Sequence, residues 1–248
     1  MADVISVNPA RPAEVIASFP AATINDVDVA IARATRAQRD WACTPVPERA
    51  ETIARIGAIL GDRKAELALL VSREAGKILT EAAGDVQEAI DMAAFVAGQG
   101  RAAWGETVPC EMPDKLAFTT RQPVGVVGMI TPWNFPVAIP SWKVLPALLA
   151  GNGIVIKPSE HAPACCEAFV AACRDAGVPH ELVNVVHGGC HTYPRSTRPG
   201  TRRRSSPIPS RLRAKTTEPT TSATASHDAA PCNPGSMGRN PRRIGRMS

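Results

Sequence analysis

The sequence has few aromatic residues and no long apolar run. Phe, Trp and Tyr make up 4% of the 248 residues, and no stretch approaches the roughly 18 consecutive apolar residues typical of a membrane-spanning helix. Residues 1–15 lack both the basic start and the apolar run of a secretory signal peptide. From these absences we expect neither a membrane span nor a cleaved leader, and we predict a cytoplasmic protein.

The cysteines lack the spacing of common structural sites. There are 7, an odd number, and no two of them form a C-x-x-C pair. This pattern favours reduced thiols over a disulfide framework or a zinc site, and no metal site is predicted. Cys166 and Cys173 fall on one predicted helix, and we interpret them as small buried apolar residues.

Acidic residues are in excess up to Gly189, and basic residues are in excess beyond it. Residues 1–189 carry 16 Lys and Arg against 21 Asp and Glu, whereas residues 190–248 carry 12 against 2. The second part has few large aliphatic residues and no helical or strand period, so it cannot bury enough apolar surface to offset the entropy of ordering. We predict a disordered basic tail over residues 190–248, which arises either from a shifted reading frame or as an evolved extension.

Helical signals run through residues 1–115. Thr23 and Asp26 have the spacing of a capping box, and apolar residues at helical intervals follow, which predicts a helix over residues 23–41. The same periodicity predicts a long second helix over Glu48–Ser72 and a third over residues 81–99. The first part of the chain is therefore predicted to be a helical layer.

Strands and helices alternate over residues 116–189. Runs of β-branched residues predict a strand from Leu116, a kink at Pro123 and a buried strand over Val124–Ile130, and further strands over residues 153–157 and 182–189. Helices are predicted between these strands, over residues 137–151 and 162–177. Strands and helices that alternate through short connections form a parallel sheet with right-handed crossovers. The predicted fold class is α/β.

The residues that follow the first two strands have side chains suited to ligand binding. They are Ile130, Thr131, Pro132, Trp133 and Asn134 after the first strand, and Lys157, Pro158, Ser159 and Glu160 after the second. Open α/β sheets bind ligands beyond the carboxyl ends of their strands. The lysine and the glutamate could bind two ribose hydroxyls, and the asparagine could donate to a developing oxyanion. Taken singly, the lysine also fits a solvated charge and the asparagine a turn residue.

Ordered motifs over residues 7–189 resemble the NAD(P)-dependent aldehyde dehydrogenase superfamily. They are VNPARPAEVIASFP, WACTPVPERAETIARIGAIL, REAGKILTEAAGDV, TPWNFP, SWKVLPALLAGN, KPSE and GVPHELVNVVHGG. The resemblance implies that residues 1–115 are the helical part of a cofactor-binding domain. It implies that residues 116–189 are a strand arm and a partial Rossmann-type NAD-binding βαβαβ unit. It also implies that a homo-oligomeric enzyme oxidises a small-molecule aldehyde to a carboxylic acid.

The same resemblance assigns roles to the strand-end residues. The nicotinamide and ribose side of the cofactor is lined by Ile130, Thr131, Pro132 and Trp133. The adenosine ribose is bound by Lys157 and Glu160, and Ser159 is a further cofactor-binding residue. The oxyanion donor, also next to the cofactor, is Asn134. A Glu160 carboxylate at the 2′-hydroxyl repels a 2′-phosphate, so NAD is favoured over NADP.

Two catalytic motifs of the family do not appear. The nucleophilic cysteine belongs to a G-Q-x-C-like motif and the general-base glutamate to an E-L-G-G-K-like motif. Neither motif is present in the sequence. The resemblance therefore predicts a truncated and catalytically inactive member of the family.

Two alternative functions remain open. Residues 116–125 resemble the family's oligomerisation arm, so the chain could join a full-length dehydrogenase as a noncatalytic partner. The basic tail could contact nucleic-acid phosphates nonspecifically through Arg202, Arg203, Arg204, Arg211, Arg213 and Lys215. That tail has one tyrosine and no Phe or Trp for stacking on bases, which disfavours nucleic-acid binding.

Overall fold

The computed structural model describes residues 3–102 and 104–189, and the predicted basic tail lies outside them. The chain begins with an antiparallel pair of strands, β1 (Val4–Asn8) and β2 (Arg11–Phe19). Four helices follow, which are α1 (Ile24–Cys43), α2 (Val46–Asp62), α3 (Lys64–Ala75) and α4 (Leu79–Gly98). A short 3-10 helix, Gln99–Arg101, comes next. In these ranges we find no helix whose length and apolar character would let it span a bilayer.

The second part of the chain contains a three-stranded parallel sheet. A two-residue antiparallel pair precedes it, β3 (Thr107–Val108) and β4 (Ala117–Phe118). The sheet unit comprises β5 (Val126–Ile130), α5 (Ala138–Leu149), β6 (Gly153–Lys157), α6 (Pro163–Asp175) and β7 (Val183–Val185). The strand order is β5-β6-β7, so each helix connects neighbouring parallel strands. The predicted α/β alternation is confirmed.

Helix α1 begins at the predicted capping box. Thr23 Oγ1 accepts a hydrogen bond from the Asp26 amide at 3.2 Å, and Asp26 Oδ2 accepts one from the Thr23 amide at 2.7 Å. Aspartate thus replaces the usual glutamate of this motif. The hydrogen bonds from Thr23 hold the pKa of Asp26 below its ordinary value. The cap is therefore fully formed above the ordinary carboxylate pKa and is lost as pH falls through the lowered one.

The prediction of one long helix over Glu48–Ser72 is wrong, because α2 and α3 are separated at Arg63. Gly61 weakens helix propensity just before the break. The Arg63 backbone leaves the helical conformation, and its side chain binds Glu66 of α3 with Nε–Oε2 and Nη2–Oε1 distances of 3.0 and 2.8 Å. Leu60 and Leu67 are both fully buried on either side of the break. The apolar pattern continues across the break and therefore gives no sign of it.

Helices cover both faces of the sheet. On one face, Val155 of β6 packs with Ala30 and Ala34 of α1. Its neighbours Ile154 and Ile156 join the main core on the other face, since successive strand residues point in opposite directions. Helices α5 and α6 contribute to that core, and α2, α3 and α4 pack against them from outside. The three-stranded sheet is thus held between α1 and a thicker helical layer.

Glycine at position 153 permits the close contact between α1 and β6. A Cβ atom built on Gly153 would lie 2.7 Å from the Ala34 carbonyl oxygen. That separation is shorter than van der Waals contact and involves a backbone atom that cannot turn aside. Any larger residue here would push α1 away from the sheet.

Arg49 of α2 joins the carboxyl ends of α1 and α5. Its side chain is buried, and Nε donates to the Leu149 carbonyl at 2.9 Å. Nη1 donates to the carbonyls of Trp41 and Ala42, both at 3.3 Å, and to that of Thr44. The last carbonyls of a helix have no partner within the helix, so one guanidinium supplies a donor to helix-end acceptors, among them the buried Leu149 carbonyl.

We expect Arg49→Met to lower the free energy of unfolding by about 3 kcal/mol, because it keeps an unbranched apolar stem but removes the guanidinium that donates to the buried Leu149 carbonyl. Chemical denaturation followed by circular dichroism measures the change. The matched control is Arg36→Met, which removes an exposed pair with Glu181 at 3.7 Å and should change stability by no more than about 0.5 kcal/mol. Equal effects of the two substitutions would contradict the assigned role of Arg49.

Candidate functional site

The predicted strand-end residues meet at one edge of the sheet. Ile130 of β5 is paired with Lys157 of β6. The Thr131 amide donates to the Lys157 carbonyl at 3.1 Å, and the Val186 amide donates to the Ile156 carbonyl at 2.9 Å. The segments that follow all three strands therefore leave the sheet side by side, as expected for parallel strands.

Lys157 and Glu160 form a pair at this edge. Lys157 Nζ donates to the carbonyls of Pro158 at 2.9 Å and Gly188 at 2.7 Å, and lies 3.8 Å from Glu160 Oε2. The lysine is buried, whereas 47% of the Glu160 side chain is exposed. Ser159 Oγ accepts from the His161 amide at 3.3 Å and stabilises the turn before α6. The edge thus presents a carboxylate to solvent above a fixed ammonium group.

An unpartnered hydroxyl and apolar surface lie at the same edge. Thr131 is only 2% exposed, yet its Oγ1 has no hydrogen-bond partner among the residues that the structure describes. Ile130 and Trp133 are 55% and 51% exposed, and Pro132 is exposed between them. Buried polar atoms are normally paired, and small-molecule sites combine apolar surface with a few polar groups. The edge therefore fits a ligand that has both hydroxyls and a planar ring.

Asn134 lies next to the helical layer. It is exposed and borders a depression of about 430 Å³ together with Lys77 and Asp85. The Lys157–Glu160 pair does not border this depression. The structure therefore places the predicted oxyanion donor in the turn before α5 and the predicted ribose-binding residues at the start of the α6 segment.

Two buried carboxylates that sequence reasoning missed close the amino ends of α5 and α6. Asp85 Oδ1 accepts from the Ala138 amide at 2.8 Å. Glu74 accepts from the amides of Ala164 at 2.9 Å and Cys165 at 2.8 Å. A carboxylate is stabilised at the positive end of a helix. Neither helix has a side-chain cap from its own N-cap residue. This missing local cap is the only feature of the sequence that could have indicated a capping residue from elsewhere in the chain.

Burial and the bonding partners of Asp85 shift its pKa in opposite directions. Burial raises the pKa of this carboxyl, while the Ala138 amide and Lys77 oppose the shift. The residue is fully buried on α4. The carboxylate therefore depends on these partners to remain charged in the interior.

Three thiols on α6 are not placed as nucleophiles. Cys165, Cys166 and Cys173 are fully buried and free, and burial raises the pKa of each thiol. This confirms the interpretation of Cys166 and Cys173 as buried apolar residues. Cys110 is free and exposed. Over residues 3–102 and 104–189, no group of three or more His, Cys, Asp or Glu could hold a metal ion.

A parallel βαβαβ unit with ligand-type residues at its carboxyl edge defines an α/β protein of the Rossmann type. Residues 2–195 match the model of the aldehyde dehydrogenase family, and the chain belongs to that family. The resemblance stated from the sequence motifs is therefore confirmed.

Curated relatives include two semialdehyde dehydrogenases. The chain is 40% identical over 181 residues to the alpha-ketoglutarate semialdehyde dehydrogenase of Haloferax volcanii, covering 73% of this chain and 38% of that protein. It is 39% identical over 181 residues to the alpha-ketoglutaric semialdehyde dehydrogenase of Bacillus subtilis, covering 73% and 37%. The chain therefore spans about two fifths of the length of these relatives.

Solved structures share the fold. Lactaldehyde dehydrogenase from Escherichia coli is 36% identical with a TM-score of 0.72, covering 76% of this chain and 39% of that one. PnpE in complex with nicotinamide adenine dinucleotide is 35% identical with a TM-score of 0.73, covering 77% and 39%. An NADP-dependent enzyme from E. coli is 33% identical with a TM-score of 0.74, covering 77% and 40%. Similar folds thus occur in proteins named for either cofactor.

We expect iodoacetamide to modify Cys110 in the native protein and to leave Cys165, Cys166 and Cys173 about 100-fold less reactive, because their thiols are buried and protonated. Peptide mapping by mass spectrometry distinguishes these sites. In concentrated guanidinium chloride all four thiols should react at similar rates, which serves as the control. Rapid native modification of any of the three buried thiols would contradict this assignment.

Proposed function

We propose that this chain provides the cofactor-binding part of an NAD-dependent aldehyde dehydrogenase. The observation that carries the proposal is the Lys157–Glu160 pair beside the unpartnered Thr131 hydroxyl, at the edge where a Rossmann-type sheet binds ligands. The names of relatives support a carboxylate-bearing semialdehyde as the substrate class. The reaction is oxidation of that aldehyde to the acid.

Each strand-end residue has a defined role in this proposal. The exposed Glu160 carboxylate accepts a hydrogen bond from a ribose hydroxyl, and Lys157 holds that carboxylate in place. Ile130, with its neighbours up to Trp133, forms the surface that receives the nicotinamide ring and its ribose. When bound, NAD supplies the hydride acceptor for the oxidation.

Asn134 is the proposed oxyanion donor. Its side-chain amide donates hydrogen bonds to the oxygen of the aldehyde as negative charge develops there, an effect of about 3 to 4 kcal/mol for one such donor. The reaction also requires a thiolate nucleophile and a general base. Because Cys165, Cys166 and Cys173 are buried and the sequence has no G-Q-x-C-like motif, we propose that this chain alone binds the cofactor without oxidising aldehydes.

The cofactor preference can be tested at Glu160. We expect the chain to bind NAD more tightly than NADP and Glu160→Gln to reduce that preference about tenfold, because a 2′-phosphate no longer meets a carboxylate. Isothermal titration calorimetry with both cofactors measures the affinities. Glu181→Gln is a matched control, since Glu181 is 49% exposed and also forms a surface ion pair. Absence of NAD binding by the unmodified chain would refute the proposed function.

A noncatalytic association with a full-length dehydrogenase is the second candidate function. The arm formed by β3 and β4 carries exposed apolar side chains, with Leu116 at 76% and Phe118 at 62% exposure. Monomeric proteins seldom expose contiguous apolar surface. This observation favours a protein contact at the arm, through which the chain would join a dehydrogenase assembly.

Co-purification tests this second candidate. The chain should co-purify with the full-length B. subtilis relative, and Phe118→Lys should reduce the recovered complex about tenfold, because it places a charge in the contact. Leu69→Lys alters another exposed apolar residue, on α3, and should leave recovery unchanged. Failure of the unmodified chain to co-purify would count against the association.

A further inference from the structure

We propose that Lys77 and Asp85 are positioning residues for Asn134, because they fix the turn between β5 and α5 to the helical layer. The inference rests on the proposed role of Asn134 as oxyanion donor. Whether the ion pair of the helical layer holds this turn rigid can be measured without the cofactor. Neither residue contacts the reacting atoms in this proposal.

Asp85 uses its two carboxylate oxygens for two different contacts. Oδ1 accepts from the Ala138 amide at 2.8 Å, at the first residue of α5. Oδ2 lies 3.3 Å from Lys77 Nζ. Since Asp85 is fully buried, both contacts are shielded from water and from salt screening. The carboxylate thus connects the start of α5 to the segment between α3 and α4.

Lys77 extends this connection to the residue next to Asn134. Its ammonium lies 3.9 Å from the centroid of the Phe135 ring, a cation–π contact. Phe135 also stacks on Trp142 of α5 with ring centroids 6.3 Å apart. The backbone of Lys77 is itself anchored, because Ser72 Oγ donates to the Lys77 carbonyl at 2.7 Å. Phe135 is therefore held by α5 and by the α3–α4 connection.

Asn134 has no such anchor of its own. Its side chain makes no hydrogen bond to any residue in the described part of the chain, which leaves the amide available to a ligand. A donor that acts on a transition state must nevertheless be fixed in advance. The contacts of Phe135 and Ala138 supply this restraint through the backbone. Lys77 and Asp85 therefore position the donor and do not occupy its hydrogen bonds.

The test is the mobility of the Asn134 backbone amide, measured by 15N relaxation in the full chain without cofactor. We expect an order parameter of about 0.85 in the unmodified protein and below about 0.6 in Lys77→Met. Lys77→Arg keeps a cation over the Phe135 ring and should restore the rigid value. Phe135→Leu removes the ring face, keeps apolar bulk and should mobilise the same amide, which provides a second route if Lys77→Met does not fold.

Lys64→Met is the matched control. Lys64 Nζ donates to Gln87 at 2.6 Å and so also contacts α4, yet it does not touch the turn. An immobile Asn134 amide in Lys77→Met and Phe135→Leu would overturn the proposal, as would equal mobilisation by Lys64→Met. Failure of the unmodified chain to bind NAD would refute the proposed function and leave this mobility result unaffected.

Discussion

The guanidinium of Arg49 fixes the two helices that flank the sheet. It donates hydrogen bonds to the terminal carbonyls of α1 and α5. Two side chains of α1 make further hydrogen bonds to the carboxyl end of α5. Trp41 Nε1 donates to the Leu148 carbonyl at 2.8 Å, and Gln38 Nε2 donates to the Gly151 carbonyl at 2.9 Å. Gly151 takes a positive φ of 85°, which an L side chain adopts with strain. These contacts orient the β5–α5–β6 crossover without any contribution from the residues that follow β5 and β6.

Side chains of opposite charge from the helical layer bind the unpaired backbone groups at the ends of α5 and α6. The cation of Arg49 meets carbonyls at the carboxyl end of α5, while the carboxylates of Asp85 and Glu74 meet amides at the amino ends of α5 and α6. Both arrangements agree with the direction of the helix dipole. Because protein carboxylates already accept from these amides, the amino ends of α5 and α6 offer no free donors to an anionic group. The helical layer therefore supplies the charges at both ends of α5 and at the amino end of α6.

Local signals accounted for much of the fold, whereas distant partners could not be anticipated. The Thr23 cap predicted the start of α1, and the alternation of strands and helices correctly predicted that the segments after β5 and β6 meet at one edge. The break at Arg63 escaped prediction because the buried pattern continues across it. The role of Glu74 depends on Cys165, 91 residues away. A single sequence gives no indication of such a pairing, since an acidic residue within a helix is ordinarily a solvated one.

The caps on α5 and α6 also constrain how genes of this kind can recombine. A crossover after residue 102 would bring in a foreign β5–β7 segment and keep the local helices. The incoming α5 and α6 would then be capped by residues of the other parent. Asp85 and Glu74 would bind their amino ends, and Arg49 would bind the carboxyl end of α5. Only parents that place the same three charges at these positions would yield a chimera whose inherited segments fit each other.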